Sequence, residues 1–418
     1  MIRDRVHART GRGKQHGNEQ IQRKETLLMN QHDLAEIKRR LNPDKHNPSV
    51  ICGCYADHAG NPITRFRLSA GMLPEQENEK YMSLFKKVLS GQVGQSLTPI
   101  AFPTENGENA EILEKLLQAR DSGLNDEEAE DWLFGRLIAG VQAEHPDMQS
   151  VNDAQTADNW LILLMHDAMD VRSRAKNGDI DYDNSDRSFS YLLCAVCPVK
   201  QEKPALRYDP ADSAFHGRPS EWLAGAPALG FLFPLFEDGA ADVNSMLFFS
   251  KDSREAHGEF LAAAFHTEAV MPAAEQTEAF QSVLAQSLGT DCSLELVQDM
   301  HETVSALIEE QKKDKDAEPL MLSRKDVARV LTDSGVPPER VEAFQDGFEQ
   351  VFGAGAVLPA VNLVPSGQFR VDLPGVSVKA DAEHRTLLET RVIDGRSYLL
   401  IPIDEGIEVN GQPVFAAK

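Results

Sequence analysis

The sequence predicts an α+β fold in which helices flank a central, mostly antiparallel sheet, followed by a helical connector and a small C-terminal β module. Three observations lead to this prediction. Short apolar runs bounded by turn-forming residues occupy the middle of the chain, as buried strands do. Stretches with apolar residues at helical spacing lie on either side of them. Near the end of the chain, Asp394-Gly395 and Asn410-Gly411 are strong two-residue hairpin turns.

Length and composition narrow the class of protein. The chain has 418 residues, 41% of them hydrophobic, which is enough for two or three domains. It contains no run of about 18 apolar residues, and its basic, polar beginning lacks the apolar core of a signal peptide. Five cysteines in a chain of this length do not resemble a secreted disulfide framework. We therefore expect a cytoplasmic protein that does not associate with membranes.

Charge is distributed unevenly along the chain. Residues 1–28 hold seven Lys and Arg and three acids, a net charge of +4, while the whole chain carries -24, which leaves -28 for the remainder. We expect residues 1–28 to be a mis-assigned extension, because Met29 offers a second start, with a disordered basic arm as the alternative. The acidic remainder makes direct binding to duplex DNA doubtful, because neutralisation of phosphates supplies most non-specific affinity.

Residues 29–150 are expected to form an N-terminal helical region that contains one β-hairpin. Apolar residues at helical spacing indicate the helices, and a cluster of turn formers between two apolar stretches indicates the hairpin. In chain order, the patterns predict a short helix at 34–41, strands at 50–55 and 64–68, and helices at 81–89, 108–121 and 126–143.

Residues 151–290 are expected to form the central α+β sheet domain. Pro234 lies within one of its apolar runs and favours an edge or a bulge there, since proline cannot donate a hydrogen bond to the ladder. Helical spacing returns in the second half of the region. The predicted strands lie at 160–165, 191–197, 230–236 and 245–249, and the predicted helices at 253–266 and 273–287.

The last two predicted regions are a helical connector at 291–353 and the C-terminal β module at 354–418. Ser323 to Asp326 resembles a capping box at the start of a connector helix. The next helix, from Glu339 to Phe352, carries four acids and one arginine, so it favours a packing hairpin over a DNA-recognition helix. In the module, Asp394-Gly395 links predicted strands at 386–393 and 398–403.

Four of the five cysteines form two close pairs, Cys52 with Cys54 and Cys194 with Cys197. Four thiolates in two pairs could bind zinc tetrahedrally as a structural site, and a redox pair is a further alternative. Both pairs lie inside predicted strands, however, where residues three apart point to opposite faces. We favour buried core cysteines.

An imidazole and two carboxylates close a predicted strand at His166, Asp167 and Asp170. Sites often lie where strands end, and these side chains could hold one or two divalent ions that activate water. A metal-dependent hydrolase or nuclease is therefore one alternative function. A polar strand end at the rim of the sheet is the interpretation that we favour.

Asp179, Asp181 and Asp183 imitate the start of a calcium loop. Asn184 stands where an EF-hand has glycine and Ser190 where it has glutamate, so an EF-hand is excluded. Weak binding of Mg²⁺ or Ca²⁺ is an alternative to the solvated acidic loop that we predict.

The signatures of several enzyme classes are absent from the sequence. It contains no G-x-x-x-x-G-K-[ST], no G-x-G-x-x-G after a strand, no H-E-x-x-H and no G-x-S-x-G. We therefore expect a non-enzymatic binding or scaffold protein with a protein partner, without a predicted cofactor, and with homo-oligomerisation as an option.

Several segments together carry a resemblance to a known family. They are the stretch that begins at Met29-Asn30, Ile51 to Tyr55, Leu193 to Val199, Gly230 to Pro234, Arg391 to Arg396 and Ile401 to Asp404. In these segments the chain resembles a bacterial family known only as a domain of unknown function. The resemblance covers nearly everything after residue 28, and it implies no activity and no site residue.

A weaker resemblance rests on the order of elements and on the surroundings of Gln276-Thr277. A strand-rich middle, a helix like that at Glu259-Phe260-Leu261 and a small C-terminal β module are similar to the nucleoid-associated protein family. This resemblance implies a role near the chromosome and assigns no catalytic residue. With an acidic body, such a role requires a local basic patch or a protein partner.

Overall fold

The computed structural model describes residue 29 and residues 31–43, 48, 50–103, 107–146, 158–171, 187–237, 240–313, 318–364, 368–403, 406–409 and 411–414. It shows a large antiparallel sheet, flanking helices and small C-terminal hairpins, so the predicted α+β class is confirmed.

The helices lie mainly before and after the strands of the large sheet. In the described residues they are α1 (Gln31–Arg40), α2 (Glu75–Val88), α3 (Gly107–Asp121), α4 (Glu127–Glu144), α5 (Gly258–Phe265), α6 (Ala273–Leu288), α7 (Leu294–Lys312), α8 (Arg324–Asp333), α9 (Pro338–Phe352) and α10 (Ala360–Leu363).

The strands of the described residues range from short hairpin strands to two long central ones. They are β1 (Val50–Ala56), β2 (Pro62–Leu68), β3 (Leu97–Ala101), β4 (Asn159–Val171), β5 (Arg187–Glu202), β6 (Ala205–Asp209), β7 (Ala214–Arg218), β8 (Glu221–Ala224), β9 (Leu229–Phe233), β10 (Leu235–Glu237), β11 (Ala240–Asp242), β12 (Ser245–Ser250), β13 (Met321–Ser323), β14 (Val357–Pro359), β15 (Gln368–Leu373), β16 (Val376–Asp381), β17 (Glu389–Ile393), β18 (Arg396–Leu400), β19 (Ile407–Val409) and β20 (Gln412–Val414).

The large sheet has the strand order β2-β1-β4-β5-β9-β12-β3, and β8 pairs with the end of β5. All of these neighbours are antiparallel. The long strands β4 and β5 form its centre and pair from Asn159 opposite Val199 to Val171 opposite Arg187. The predicted hairpin before residue 70 is present as β1 and β2.

Both faces of the large sheet are buried, which is why its strands have continuous apolar sequences. Along β4, Ile162 and Leu164 face a core covered by α3, α4 and α5. Leu163 and Met165 face a second core covered by α1 and α2. Each fully buried side chain of this size contributes about 1.5–3 kcal/mol to folding. The result is a three-layer arrangement with the sheet in the middle.

A glycine lets α2 approach the sheet closely. A Cβ at Gly230 of β9 would collide with the carbonyl oxygen of Cys194 and with the side chain of Val88. Pro234, which follows a cis peptide bond, lies between β9 and β10 and outside the ladder of the large sheet. Its position agrees with the irregularity predicted for it, because proline has no N–H to donate.

The helices α6 to α9 surround a third core. The predicted capping box is present at the start of α8, where the Ser323 and Asp326 side chains bond each other's backbone amides. Asn362 of α10 joins this unit to the chain before β3, because its Nδ2 donates to the carbonyl of Gly94 at 2.7 Å and to Oε1 of Gln276 at 2.9 Å.

The C-terminal β module consists of three separate two-stranded hairpins, β15–β16, β17–β18 and β19–β20. Asp394 and Gly395 have φ angles of 49° and 75°, as the predicted two-residue turn between β17 and β18 requires. The module contacts α7, whose Gln298 Nε2 donates to the carbonyls of Arg385 at 2.6 Å and Leu388 at 3.0 Å.

The sequence analysis did not predict β6, β7 and β8. Polar residues interrupt the apolar ones in β6 and β7, and β8 has only four residues. All three strands are mostly exposed, so they lack the long continuous apolar runs that mark the buried strands.

No helix in the part of the chain that the structure describes is long and apolar enough to cross a bilayer.

Candidate functional site

The structure places the paired cysteines in two different cores. Cys52, Cys54 and Cys194 face the core under α3, α4 and α5, whereas Cys197 faces the core under α1 and α2. Leu164 lies between Cys52 and Cys194 in the register, so these two residues are two strands, or about 10 Å, apart. The four thiols do not surround one point, and this separation follows from the alternation of side chains along a strand.

Burial also disfavours the thiolate form that zinc and redox chemistry need. It raises the pKa of Cys52 to about 12, where Glu130 adds to the effect, and raises the pKa of Cys197 to about 12. The Cys52 thiol donates to Oε2 of Glu130 at 3.3 Å. These cysteines therefore behave as core residues in the described structure.

His166, Asp167 and Asp170 do not converge. His166 and Asp167 are adjacent in β4, so their side chains point to opposite faces of the sheet. Nε2 of His166 lies 2.8 Å from Oγ of Ser190, and burial lowers the pKa of His166. Asp170 is exposed and lies four residues after His166, which is about 13 Å along the strand.

Asp167 of β4 connects α1 to the sheet. Nε and Nη2 of Arg40 donate to its two carboxylate oxygens at 2.7 and 3.0 Å, and the Tyr191 hydroxyl donates to Oδ2 at 2.9 Å. Burial and the carboxylate of Asp167 raise the pKa of Tyr191 well above its usual range. The buried carboxylate is thus paired and fully hydrogen-bonded.

Asp179, Asp181 and Asp183 lie outside the described residues, so their predicted role stays a prediction.

A second polar cluster, which the sequence analysis did not single out, joins three elements. Oγ of Ser250, at the end of β12, lies 2.8 Å from Nε2 of His257. Nδ1 of the same ring lies 2.8 Å from Oε1 of Glu144, the last residue of α4. We refer to Ser250, His257 and Glu144 as the relay. The backbone N–H of Phe260 donates to the other oxygen of Glu144 at 3.2 Å.

The three residues of the relay follow the order of a catalytic triad. Ser250 stands in the place of the nucleophile, His257 in that of the base, and Glu144 in that of the acid that orients the base. The Ser250 hydroxyl donates to the carbonyl of Asp252 at 2.7 Å. With Nδ1–H donating to Glu144, the lone pair of Nε2 accepts the proton of Ser250 when that hydroxyl turns from Asp252 to the ring. The hydrogen bond from His257, aided by the Phe260 amide, lowers the pKa of Glu144, so the acid is ionised. His257 itself has a left-handed backbone, with φ 52° and ψ 38°, which is uncommon for a residue with a side chain.

A groove of about 330 Å³, solvent included, opens beside the relay. Ser250 forms part of its lining, although only 8% of that residue is exposed. Apolar side chains form much of its wall, and polar ones are mixed among them. The lining includes Ile100, Phe248, Leu261, Ser253 and Glu255.

Among the described residues, one set of possible metal ligands has suitable spacing. Glu144, Glu255 and His257 place ligand atoms within 4.8 Å of one another. Glu144, however, bonds Nδ1 of the imidazole, while Oε2 of Glu255 lies 3.9 Å from Nε2. A metal on Nε2 would therefore have only Glu255 and His257 as ligands, while Glu144 would orient the imidazole from Nδ1. Two protein ligands form a weak metal site.

A projecting hairpin carries an exposed apolar face. We refer to β6, β7 and the turn between them as the arm. Leu206, Tyr208 and Phe215 share one of its faces and are 71%, 50% and 66% exposed. In β8, which follows the arm in the chain and pairs with β5, Trp222 and Leu223 are 38% and 42% exposed and point to opposite faces. Exposed apolar residues grouped in this way are typical of interaction surfaces.

The opposite face of the arm is charged and largely neutralised within itself. Nη2 of Arg207 lies 3.4 Å from Asp209, and Nε of Arg218 lies 3.2 Å from Glu221. Arg218 also pairs with Glu202 at the base of the arm. The arm is therefore an amphipathic two-stranded sheet whose apolar face has no charged side chain.

A family model described as a domain of unknown function, DUF4317, matches residues 29–412. The chain belongs to the DUF4317 family. The first resemblance is thereby confirmed. No curated protein and no solved structure matches the chain. The resemblance to nucleoid-associated proteins stays a prediction.

The matched DUF4317 region contains the paired cysteines, the relay and the arm. Sequence reasoning missed the relay because Glu144, Ser250 and His257 lie in separate segments without a motif. It could have found the arm, since Leu206 and Tyr208 alternate with Arg207 and Asp209, which is the period-two signal of a half-exposed strand.

Proposed function

We propose that this DUF4317 protein is a cytoplasmic binding or scaffold protein that associates with a second copy of itself through the arm. The observation that carries the proposal is the apolar face formed by Leu206, Tyr208 and Phe215. An isolated two-stranded sheet is only marginally stable in water, so covering this face would stabilise the arm as well as bury apolar surface.

Charge restricts where a second copy can bind. The chain carries -24, so two copies repel each other over most of their surfaces. The apolar face of the arm presents no charge and is thus a place where two copies can approach. A two-fold contact needs only one such self-complementary patch, and two-fold dimers are the commonest soluble oligomers. A basic partner would instead be attracted to carboxylates elsewhere.

The hairpin of β17 and β18 is a less suitable surface. Val392 is 73% exposed, but its neighbours Ile393 and Arg391 point to the other face of β17. Tyr398 lies opposite Arg391, so its face is mixed. Arg396, opposite Ile393, adds a second charge to the face that carries Tyr398.

Sedimentation velocity tests the proposal. The wild-type chain should sediment as a dimer at micromolar concentration, and the double variant Leu206→Ser/Phe215→Ser as a monomer. The matched control is Ile63→Ser/Met72→Ser, which removes side chains that are 53% and 87% exposed elsewhere and should leave the dimer intact. A wild-type monomer at about 100 µM would overturn the proposal, and so would a dimer that survives the arm substitutions.

The geometry gives less support to the other functions considered. The divergence of His166 and Asp167 does not favour a metal-dependent hydrolase at that strand, and the separation of Cys194 from Cys197 does not favour structural zinc. A role near the chromosome would act through a protein partner bound to the scaffold, because the acidic chain is unsuited to direct contact with duplex DNA.

A further inference from the structure

We propose that the relay is a nucleophilic centre that hydrolyses small uncharged esters, an activity that goes beyond assembly through the arm. The geometry points to Ser250 as the nucleophile, His257 as the base and Glu144 as the residue that positions the base. Oγ of Ser250 lies 2.8 Å from Nε2 of His257, and Nδ1 of His257 lies 2.8 Å from Oε1 of Glu144. These are direct hydrogen bonds, and each uses the ring nitrogen that this chemistry requires.

A purely structural role would need only part of this network. Glu144 fastens the end of α4 to the beginning of α5 through His257 and the Phe260 amide. The Ser250 hydroxyl can be satisfied by the carbonyl of Asp252, 2.7 Å away. Nε2 of His257 lies equally close to the same oxygen, at 2.8 Å, so a turn of the hydroxyl from Asp252 to the ring gives the serine a base. The contact between the helices does not need this second position of the proton.

The backbone at His257 supports the same inference. This residue adopts the left-handed conformation directly before α5, where a glycine would fit without strain. Gly258 follows immediately, so the chain has a glycine next to the strained position but not at it. The left-handed conformation is retained at the one residue whose imidazole contacts both Ser250 and Glu144.

The groove beside Ser250 defines the class of substrate. Its apolar wall, which includes Ile100, Phe248 and Leu261, suits a short acyl chain. The carboxylate of Glu255, 3.9 Å from Nε2 of His257, would repel an anionic substrate. An uncharged ester with a short acyl chain meets these conditions.

The reaction uses only the ester and water. Oγ of Ser250 forms a bond to the acyl carbon while its proton passes to Nε2 of His257. The bond between the acyl carbon and the alkoxide oxygen breaks, and the alkoxide leaves with that proton as an alcohol. Water then attacks the acyl-serine, gives one proton through Nε2 back to Oγ, and releases the carboxylic acid. Ionised Glu144 stabilises the transient imidazolium through Nδ1–H.

The first test uses a fluorophosphonate probe and p-nitrophenyl esters of short acids on the full chain. We expect covalent labelling of the wild type at Ser250, identified by peptide mass spectrometry, and ester turnover above the buffer background. Ser250→Ala removes a single oxygen and should lose both signals. The matched control Ser245→Ala, at the other end of β12, should retain them. Labelling that persists in Ser250→Ala, or a folded wild type that neither labels nor turns over ester, would overturn the proposal.

Glu144 needs a separate readout, because its loss also weakens the contact between α4 and α5. Glu144→Gln should lower kcat by on the order of 10²- to 10⁴-fold while KM changes little. Glu144→Asp should recover part of kcat. A Glu144→Gln variant that has a lower Tm but an unchanged kcat would contradict the positioning role.

Discussion

Tyr208 and Phe215 face each other across β6 and β7 with ring centroids 5.4 Å apart, although 50% and 66% of these residues are exposed. The contact stabilises the arm, but it leaves most of the apolar face in water. Aromatic side chains bury large areas at interfaces, so this pair is the expected centre of a contact between two copies. Because the sheet has only two strands, its backbone edges are also open to a partner.

Association through the arm predicts a melting temperature that depends on protein concentration. A ligand or partner that binds only the folded state raises its stability by mass action. The Tm of the wild type should rise by about 1–3 °C for each tenfold increase in concentration, measured by differential scanning calorimetry. For Leu206→Ser/Phe215→Ser the Tm should not change. An identical Tm for the wild type at all concentrations would contradict the dimer.

Removal of Arg40 should strongly destabilise the fold. Arg40→Met leaves the carboxylate of Asp167 without its charged partner, and such a loss typically costs about 3–5 kcal/mol. The control is Arg39→Met, the exposed neighbour on α1. Urea unfolding gives the two free energies of unfolding. A loss below about 1 kcal/mol for Arg40→Met would show that the pair is not needed to bind α1 to the sheet.

Glu144 should make stability depend on pH in the acid range. The hydrogen bond from His257 lowers the pKa of the folded carboxyl below its ordinary value of 4.5. A lowered pKa means that the stabilisation is complete above that value and is lost as the pH falls through the folded pKa. The stability difference between the wild type and Glu144→Gln should therefore shrink below pH 4.5 in urea titrations.

The control for this pH effect is Glu259→Gln, which changes an exposed acid in the first turn of α5. The difference in free energy of unfolding between Glu259→Gln and the wild type should change much less over the same pH range. If the Glu144→Gln stability difference stayed constant down to pH 2, the hydrogen bond with His257 would not contribute to acid stability.

The cysteines should resist thiol reagents in the folded protein. Cys52 and Cys197 have pKa values of about 12 because they are buried, and Cys54 and Cys194 are buried as well. At pH 8, Ellman's reagent should titrate at most one thiol, the half-buried Cys292, and all five after denaturation. Rapid reaction of three or more thiols in the native protein would be inconsistent with this burial.

The sequence predicted those parts of the fold that bury apolar side chains on both faces. Leu192 to Cys197 is a continuous apolar run and is a central strand of the sheet, and Asp394-Gly395 forms the expected turn. The arm was missed because polar residues interrupt the apolar ones in both of its strands. The period-two rule, applied only to the cysteines, would also have separated His166 from Asp167.

The relay could not have been predicted from local patterns. Glu144 and His257 are 113 residues apart and meet only because α4 and α5 pack together on one face of the sheet. Ser250 is an ordinary polar residue at the end of an apolar strand. Its neighbours in sequence do not show that an imidazole will lie 2.8 Å from its hydroxyl. Such a cluster depends on tertiary packing rather than on spacing.

The central claim, that the arm is the contact between two copies, is tested most directly by hydrogen exchange. Peptides covering residues 205–218 should be measured by mass spectrometry at concentrations above and below the dimer midpoint found by sedimentation. We predict that the backbone amides of β6 and β7 exchange more slowly in the dimer, while those of β15–β18 do not change. Equal exchange in the arm at both concentrations, with new protection elsewhere or nowhere, would contradict the claim.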